Sequence, residues 1–247
     1  MYRTIIEYGF SEFIAKLKLF TKKRIREFKW QKVFSEKSLE ARFTRIYNEK
    51  LWTGSESASG YGSGIEYTRS LRKYLQLIIE NYEISKIFDM ACGDCNWIKN
   101  FFETKKIEYL GCDIVRALIE KNTELYGGDL IKFEVLDVVS DNLPSADLVI
   151  CRDVLFHLPN RDILTVLSKI CATQSKYLLV TTHINDSKDQ FSNVDIDAGD
   201  FRRIDLFEKP FSFPRESILT FNDWMAPDPP RMMALYDVRE LRKSWLL

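Results

Sequence analysis

Apolar residues from Lys86 onward come in short runs that alternate with stretches of helical spacing. Five runs predict β-strands: KIFDMAC, EYLGCDIV, IKFEVLDV, ADLVICRDV and KYLLVTTH. Helical spacing near residues 96 to 104, 116 to 126 and 160 to 173 falls between most of them. Strands that are almost continuously apolar and alternate with helices are typical of a parallel sheet covered on both faces. The pattern therefore predicts an α/β fold that binds ligands at the carboxyl ends of its strands.

The alternation of strands and helices ends after His183. The segment INDSKDQFSNVDIDAGD is long and polar, and a polar insertion of this length in a compact domain predicts a functional lid or a mobile loop. Two further strand candidates follow, ESILTF and RMMALYDVREL. With them, we expect a doubly wound, mostly parallel sheet of seven strands.

Residues 11 to 50 carry apolar positions at helical spacing and predict two or three helices. The stretch from Lys16 to Lys32 holds eight basic residues and one acidic residue. Two interpretations are open: a helix lying on an anionic membrane surface, or a cap helix with a solvated basic face. We expect an N-terminal helical cap over residues 1–50 and the main domain over residues 51–247.

Composition and charge narrow the class of protein. The 247 residues include 36 basic and 36 acidic side chains, with a net charge of +7 in residues 1 to 50 and −7 in the rest. This balance does not favour a dedicated nucleic-acid binder. The N-terminus lacks the apolar core of a secretory signal, so we expect a cytoplasmic protein, whose five cysteines stay reduced. The oligomeric state cannot be predicted.

The turn after the first predicted strand holds the most informative chemistry. It reads DMACGDCNW from Asp89, with the single glycine Gly93 and an acid at the strand end. A dinucleotide-binding fingerprint needs three glycines, so a pyrophosphate would be poorly served here. Acids also end the next two predicted strands, at Asp113, which lies 24 residues after Asp89, and at Asp137.

This turn resembles motif I of the class I S-adenosylmethionine-dependent methyltransferases, D/E-x-G-x-G-x-G, in a subtype that reads D-x-x-C-G-D-x-x-W. Ala91 and Cys95 replace the first and third glycines of that motif. The segment ADLVICRDVLFHL resembles motif IV and the residues after it, and the likeness spans residues 52 to 183. The tail and the segment ESASGYGSG resemble a subgroup that acts on small molecules or glycans, in which the Ser/Gly-rich loop closes over the cofactor.

The resemblance implies a Rossmann-like fold, S-adenosyl-L-methionine as cofactor and S-adenosyl-L-homocysteine as product. The cofactor-binding residues that it implies are Ser59, Gly60, Ser63, Asp89, Ala91, Cys92, Gly93, Asp94, Asn96, Trp97, Asp113, Ile114, Asp137, Val138, Cys151 and Arg152. If the acceptor is a hydroxyl, a general base helps the reaction, and His157 and Asp153 are the candidates.

Charged residues of the polar segment suggest the acceptor. We expect His183, Asp200, Arg202 and Arg203 to bind it. Their polarity favours O-methylation of a polar small molecule, such as a sugar hydroxyl or a phosphate or phosphoramidate group in polysaccharide biosynthesis. The alternatives are an NAD(P)-dependent oxidoreductase and a non-catalytic membrane-surface or RNA-binding module that uses the basic N-terminus.

The spacing of Cys92 and Cys95 allows a second interpretation. Cys112 and Cys151 should end strands on the same side of the sheet, and four converging thiols are a plausible zinc site. Two of these thiols are single residues on separate strands, which argues against a metal. We therefore predict that no metal is bound and that the cysteines stand in the cofactor loop because they are small.

Overall fold

A computed structural model describes residues 2–52, 54–104, 106–185 and 191–245 of the chain. Seven strands form one sheet in the order β3-β2-β1-β4-β5-β7-β6. They are β1 (Lys86–Met90), β2 (Glu108–Asp113), β3 (Ile131–Val135), β4 (Leu148–Cys151), β5 (Tyr177–His183), β6 (Leu219–Asn222) and β7 (Arg231–Asp237). The first five strands pair in parallel, and β7 runs antiparallel between β5 and β6. The predicted mostly parallel sheet of seven strands is confirmed.

Seven α-helices accompany the sheet within the described residues. They are α1 (Tyr2–Ser35), α2 (Leu39–Asn48), α3 (Arg69–Asn81), α4 (Lys99–Thr104), α5 (Arg116–Tyr126), α6 (Asn160–Ala172) and α7 (Val238–Trp245). Buried residues of α3 and α5 belong to the core on one face of the sheet, and those of α6 and α7 belong to the core on the other. Leu71, Leu75 and Ile78 show why α3 packs there, because their spacing puts all three on one side of the helix.

The N-terminal region forms two helices, within the predicted two or three. Ser38 begins α2, where its hydroxyl accepts a hydrogen bond from the backbone N–H of Ala41 at 3.2 Å. The buried residues Val33 and Ile46 lie in α1 and α2 respectively, and a Cβ on Gly199 would lie 2.9 Å from Ile46. The ends of these helices therefore pack on the segment around Gly199. No described helix combines the length and the apolar character that crossing a membrane requires.

The polar segment after β5 is held down where the structure describes it. Part of the predicted lid, residues 186–190, lies outside the described residues. Beyond them, the buried Asn193 side chain donates to the carbonyl oxygens of Asp205 and Lys209, at 2.9 and 2.8 Å, and accepts from the N–H of Asp205. Phe211 and Phe213 are buried in the core. From Asn193 onward, these contacts anchor the segment to the domain.

Candidate functional site

A cavity of about 560 Å³ opens at the carboxyl ends of β1, β2 and β4. Its walls come from the strand ends, from the Ser/Gly-rich loop of residues 54–64, and from α1 and α2. Most of the predicted site residues line it: Ser59, Gly60, Ser63, Asp89, Ala91, Cys92, Gly93, Trp97, Asp113, Ile114, Asp137, Val138, Arg152, Asp153 and His157. One edge of the sheet thus gathers residues that are up to about a hundred positions apart in the chain.

The turn after β1 keeps a glycine-like backbone although it holds one glycine. Ala91, Gly93 and Cys95 have φ angles of 56°, 57° and 55°. These are the three glycine positions of the motif, and the left-handed conformation costs a residue with a Cβ roughly 1 to 2 kcal/mol. Ala91 and Cys95 adopt this conformation despite its cost, and Ala91, Cys92 and Gly93 of the turn line the cavity. Strain of this kind is characteristic of ligand-binding turns.

The Ser/Gly-rich loop is fastened onto this turn. The carboxylate of Asp94 accepts from the Ser57 hydroxyl at 2.9 Å and from the backbone N–H of Ala58 at 2.7 Å. The backbone N–H of Asp94 in turn donates to the hydroxyl of Ser59 at 3.0 Å. A Cβ on Gly93 would lie 2.1 Å from that hydroxyl, so the loop can close this tightly only over glycine. Further along, the amide of Asn96 donates to the Ser63 carbonyl at 3.0 Å.

Two buried carboxylates face the cavity from neighbouring strands. Asp89 is 2% exposed, and it accepts a hydrogen bond from the Tyr109 hydroxyl at 2.8 Å. Burial raises its pKa to about 7, and this outweighs the hydrogen bond and the charge of Arg152, which both lower it. Burial raises the pKa of Asp113 to about 6, against hydrogen bonds from the N–H groups of Val115 and Gly93. A cationic or donor-rich ligand would stabilise both charged forms.

Asp137 ends the series of acids at the third strand. Its carboxylate accepts from the N–H of Val139 at 2.9 Å and from the Ser140 hydroxyl at 3.0 Å. These bonds fix the turn that presents Val138 and Val139 to the cavity. Ile114 lies after β2 and also lines the cavity, so two neighbouring turns supply apolar side chains beside two acids.

A network of charged side chains forms the cavity floor near β4 and β7. Arg152 lies 2.8 Å from the Asp223 carboxylate and 3.2 Å from that of Asp153, and it donates to the Gly62 carbonyl at 2.8 Å. Arg231 donates to the same Asp153 oxygen at 2.9 Å. The two guanidinium groups hold the pKa of Asp153 below its usual value despite burial. Asp153 is therefore an ionised carboxylate held between two cations.

Three buried side-chain atoms of this network lack a hydrogen-bond partner among the described residues. They are Oδ1 of Asp223, Oδ1 of Asp153 and Nε of Arg231, and the last two belong to residues that line the cavity. Leaving a buried polar group unpaired costs roughly 1 to 3 kcal/mol. An acceptor atom and a donor atom are therefore available to a ligand that carries both an amine and a carboxylate. The amino-acid part of S-adenosylmethionine has that chemistry.

His157 is the ionisable side chain on the opposite wall. Its Nδ1 lies 2.8 Å from the backbone carbonyl of Asp200, which fixes the hydrogen on Nδ1 and leaves the lone pair on Nε2. The ring stacks on Trp52, with ring centroids 4.3 Å apart. Burial lowers the pKa of His157 to about 4, so the imidazole is neutral at physiological pH. Nε2 can accept a proton, so the imidazole can act as a weak base.

The cysteines are buried thiols. Asn122 places its amide 3.5 Å from the sulfur of Cys95 and 3.8 Å from that of Cys92, and donates to the Gly93 carbonyl at 2.7 Å. The neighbouring Cys95 and burial raise the pKa of Cys92, and burial raises those of Cys112 and Cys151. Thiolates are the metal ligands, so this environment is poor for zinc. The described residues contain no group of three or more metal-ligating side chains placed to hold an ion.

Several predicted residues do not line the cavity. Asp94 and Asn96 lie behind the turn and hold the Ser/Gly-rich loop, and Cys151 is fully buried. Among the predicted acceptor-binding residues, His183 is 2% exposed, and its Nδ1 accepts from the N–H of Ile204 at 3.3 Å. The others, Asp200, Arg202 and Arg203, are likewise not among the cavity's lining residues.

Arg202 makes hydrogen bonds within the domain instead of lining the cavity. Its guanidinium donates to the Val194 and Leu155 carbonyls, at 3.2 and 3.3 Å, and to the Asn160 side chain at 2.8 Å. Burial lowers its pKa to about 10. These bonds tie the polar segment to the start of α6. The position of Arg202 thus supports the fold around the site.

The structure adds residues that sequence reasoning missed. Phe43 of α2, Trp52 and Phe201 form an aromatic wall with His157, and Arg26 of α1 also lines the cavity. Phe43 is one of the apolar positions at helical spacing in residues 11 to 50, but nothing in the sequence indicates which surface a cap helix covers. Arg231 was also missed, because it begins the last strand of the sheet and meets Asp153 only through the antiparallel pairing of β7 with β5.

Comparisons with known proteins agree with this geometry. Residues 87–176 match the family model described as a methyltransferase domain. No curated protein matches the chain. The match spans β1 to the end of α6 and includes the turn after β1 and the three predicted strand-end acids Asp89, Asp113 and Asp137.

Solved structures share the fold at low sequence identity. The N-methyltransferase NodS from Bradyrhizobium japonicum WM9, in complex with S-adenosyl-L-homocysteine, gives a TM-score of 0.58 at 9% identity, covering 78% of this chain and 97% of that one. The methyltransferase domain of bacterial CtHen1 gives 0.51 at 13% identity, with coverage of 69% and 99%. The magnesium protoporphyrin IX methyltransferase ChlM from Synechocystis PCC 6803, with bound S-adenosylmethionine, gives 0.50 at 14% identity, with coverage of 85% and 90%.

These likenesses confirm the Rossmann-like methyltransferase fold. Residues 87–176 thus resemble a methyltransferase domain in sequence, and the solved structures, one of them in complex with S-adenosyl-L-homocysteine, share the fold. The nearby solved structures include N-methyltransferases, so the fold by itself does not select the acceptor atom.

Proposed function

We propose that this chain is a class I S-adenosylmethionine-dependent methyltransferase that transfers a methyl group to a small molecule within the cavity. One observation carries the proposal: two left-handed turn positions, Ala91 and Gly93, and two buried acids, from β1 and β2, meet in a single cavity. The cofactor supplies a methyl group already activated by the sulfonium. The protein therefore needs mainly to align the acceptor, an effect worth up to roughly 7 to 11 kcal/mol.

The cofactor-binding roles follow from the chemistry of each wall. Asp113 accepts hydrogen bonds from ribose hydroxyls, and Ile114 and Val138 pack on the adenine from neighbouring turns. Asp89 and the free oxygen of Asp153 accept from the amino group, and Arg231 donates to the carboxylate. The Ser/Gly-rich loop, held by Asp94, excludes water from the same site.

His157 is the better candidate for the general base. Its Nε2 lone pair is available because the Asp200 carbonyl holds the hydrogen on Nδ1. Asp153 is paired with two guanidinium groups, which lower its pKa and make it a poor proton acceptor. We therefore assign proton acceptance to His157 and the orientation of Arg152 and Arg231 to Asp153. Positioned general bases contribute roughly 10²- to 10⁴-fold to rates.

We propose a sugar hydroxyl, or a phosphate or phosphoramidate group in polysaccharide biosynthesis, as the acceptor, and O-methylation as the reaction. The support now comes from the cavity wall: the rings of Phe43, Trp52 and Phe201 offer flat surfaces for the C–H face of a sugar ring. Arg26 offers a cation to an anionic group. The charged residues Asp200, Arg202 and Arg203 do not contribute to the lining of this wall.

Methyl transfer from labelled S-adenosylmethionine to candidate sugar and sugar-phosphate acceptors tests the proposal. His157→Ala should lower the turnover number by at least about 100-fold for a hydroxyl acceptor, whereas Asp153→Asn should mainly weaken cofactor binding. Full activity in both variants would remove these assignments. Thermal stabilisation by S-adenosylhomocysteine but not by NADH separates this function from the oxidoreductase alternative, and the reverse result would favour that alternative.

A further inference from the structure

The middle of α1, residues 12 to 28, extends without the packing that usually supports a helix. In this segment every side chain except Ile14 is exposed, and the first buried residue after it is Val33. Isolated helices of this length are marginal in water, and most helical stability in proteins comes from packing of one face. A contact with a partner would therefore stabilise residues 12 to 28, whose side chains the described part of the chain leaves exposed.

Four large apolar side chains lie on one side of this exposed segment, residues 12 to 28. Phe13 is 61% exposed, Leu17 50%, Phe20 61% and Phe28 56%. They are four, three and eight residues apart, which places them on one side of the helix, with Phe13, Leu17 and Phe20 adjacent and Arg24 and Glu27 between Phe20 and Phe28. Leu19 and Ile25, also exposed, lie on other sides of the helix. We name Phe13, Leu17, Phe20 and Phe28 the exposed stripe. Contiguous exposed apolar surface of this kind marks an interaction site.

The charge around the exposed stripe indicates the chemistry of its partner. Eight basic residues and one acid lie between Lys16 and Lys32. Two copies of this chain, pairing stripe to stripe, would bring sixteen basic side chains together, so charge repulsion opposes a dimer through this surface. An anionic surface with an apolar layer beneath it matches both the charge and the exposed stripe.

We propose that α1 lies on an anionic lipid bilayer, with the exposed stripe inserted among the acyl chains and the basic side chains among the headgroups. Helices with an apolar face and a Lys/Arg-rich polar face bind interfaces in this way. A helix is about 10 to 12 Å across, similar to the Debye length of about 8 to 10 Å. Lysines on the far side of the helix, such as Lys18 and Lys22, therefore still contribute.

This orientation has a consequence for the cavity. Arg26 belongs to the same helix and lines the cavity. Docking of α1 thus places the cavity about one helix diameter from the lipid surface, where acceptors that reside at the membrane are concentrated. The inference does not depend on the proposed methyl transfer, because it concerns a surface on the outside of the helix.

Sedimentation of the full chain with vesicles tests the proposal. One set of vesicles contains phosphatidylcholine alone, and the other contains phosphatidylcholine with phosphatidylglycerol. The wild-type protein should pellet with the second set, and less so as the salt concentration rises. Two double variants in α1 test the apolar and the electrostatic contributions to binding separately. Phe13→Gln/Phe20→Gln should lower the partition coefficient by at least about tenfold, and Lys18→Gln/Lys22→Gln by about threefold, because these charges lie about one Debye length from the surface.

Matched controls are available on other helices. Leu77→Gln/Leu125→Gln removes exposed apolar side chains of α3 and α5, and Lys73→Gln/Lys121→Gln removes exposed charges there. Both controls should pellet like wild type. Equal pelleting with both vesicle types, or equal losses in test and control variants, overturns the proposal. Sedimentation velocity without lipid provides a further test. A wild-type dimer that Phe13→Gln/Phe20→Gln dissociates would also overturn the proposal, because the exposed stripe would then bind a second copy of the chain.

Discussion

Replacing Asp89 with asparagine should stabilise the cofactor-free protein at alkaline pH. Asp89 is 2% exposed, and burial raises its pKa from 3.8 to about 7. That difference corresponds to about 4 kcal/mol of unfavourable free energy for the charged carboxylate in the folded state. Asparagine keeps an oxygen for the Tyr109 hydroxyl but buries an amide that costs roughly 1 to 3 kcal/mol if unpaired. The net gain expected at about pH 8 is therefore about 1 to 3 kcal/mol.

The pH dependence identifies the cause. A carboxyl group with a raised pKa in the folded state contributes stability while it is protonated, and that contribution is lost as the pH rises through about 7. Wild type should therefore lose stability between about pH 5 and about pH 8 through this group, and Asp89→Asn should not. The advantage of the variant grows with pH, and urea unfolding without cofactor at both pH values measures it.

Asp147→Asn is a control with the opposite sign. Asp147 lies at the other end of β1, where Lys176 and the residues Ser85 and Lys86 hold its pKa below the usual value. The same chemical change should therefore destabilise the protein there at both pH values. The reasoning is refuted if Asp89→Asn destabilises the protein equally at both pH values, or destabilises it more at the higher one.

Three further predictions concern the cofactor turn. Gly93→Ala should destabilise the protein by at least about 1 to 2 kcal/mol in urea unfolding, because the φ of Gly93 is +57° and a Cβ there would meet the Ser59 hydroxyl at 2.1 Å. Adding Ser59→Ala to this variant should recover part of the lost stability, and no recovery would disprove the steric explanation. Ala91→Gly should change stability by less than about 1 kcal/mol, because relief of the left-handed strain offsets the flexibility of glycine; a large loss would show that the strain is absent. Affinity for S-adenosylhomocysteine, measured by calorimetry, should fall as the pH drops through about 7, where Asp89 gains a proton, and Asp89→Asn should remove that dependence; an unchanged slope in the variant would assign it to another group.

The strands β1 to β5 and the edge of the sheet at which the acids meet could be predicted from the sequence because local patterns determine both. Runs of apolar residues such as those before Asp89 and Asp113 indicate buried parallel strands, and the acids at their ends then have to meet at one edge. Ala91 and Cys95 replace glycines of the motif, and the structure gives both of them positive φ angles.

Long-range packing accounts for what the sequence did not predict. The charge of Arg202 and its neighbours suggested that they bind the acceptor. In the structure, the Arg202 guanidinium instead donates hydrogen bonds to three groups of the domain. Whether such a side chain faces a cavity or the backbone depends on contacts distant in the chain. The same holds for Trp52 and Phe43, whose place in the cavity wall depends on how the N-terminal helices dock.

Calorimetric titration of S-adenosylhomocysteine into the purified protein tests the central claim most directly, with wild type and Asp113→Ala compared at the same pH. Saturable binding to one site per chain, weakened by at least about tenfold in Asp113→Ala, is the predicted result. Absence of binding heat in wild type at several temperatures, or an affinity unchanged by Asp113→Ala, would contradict the account.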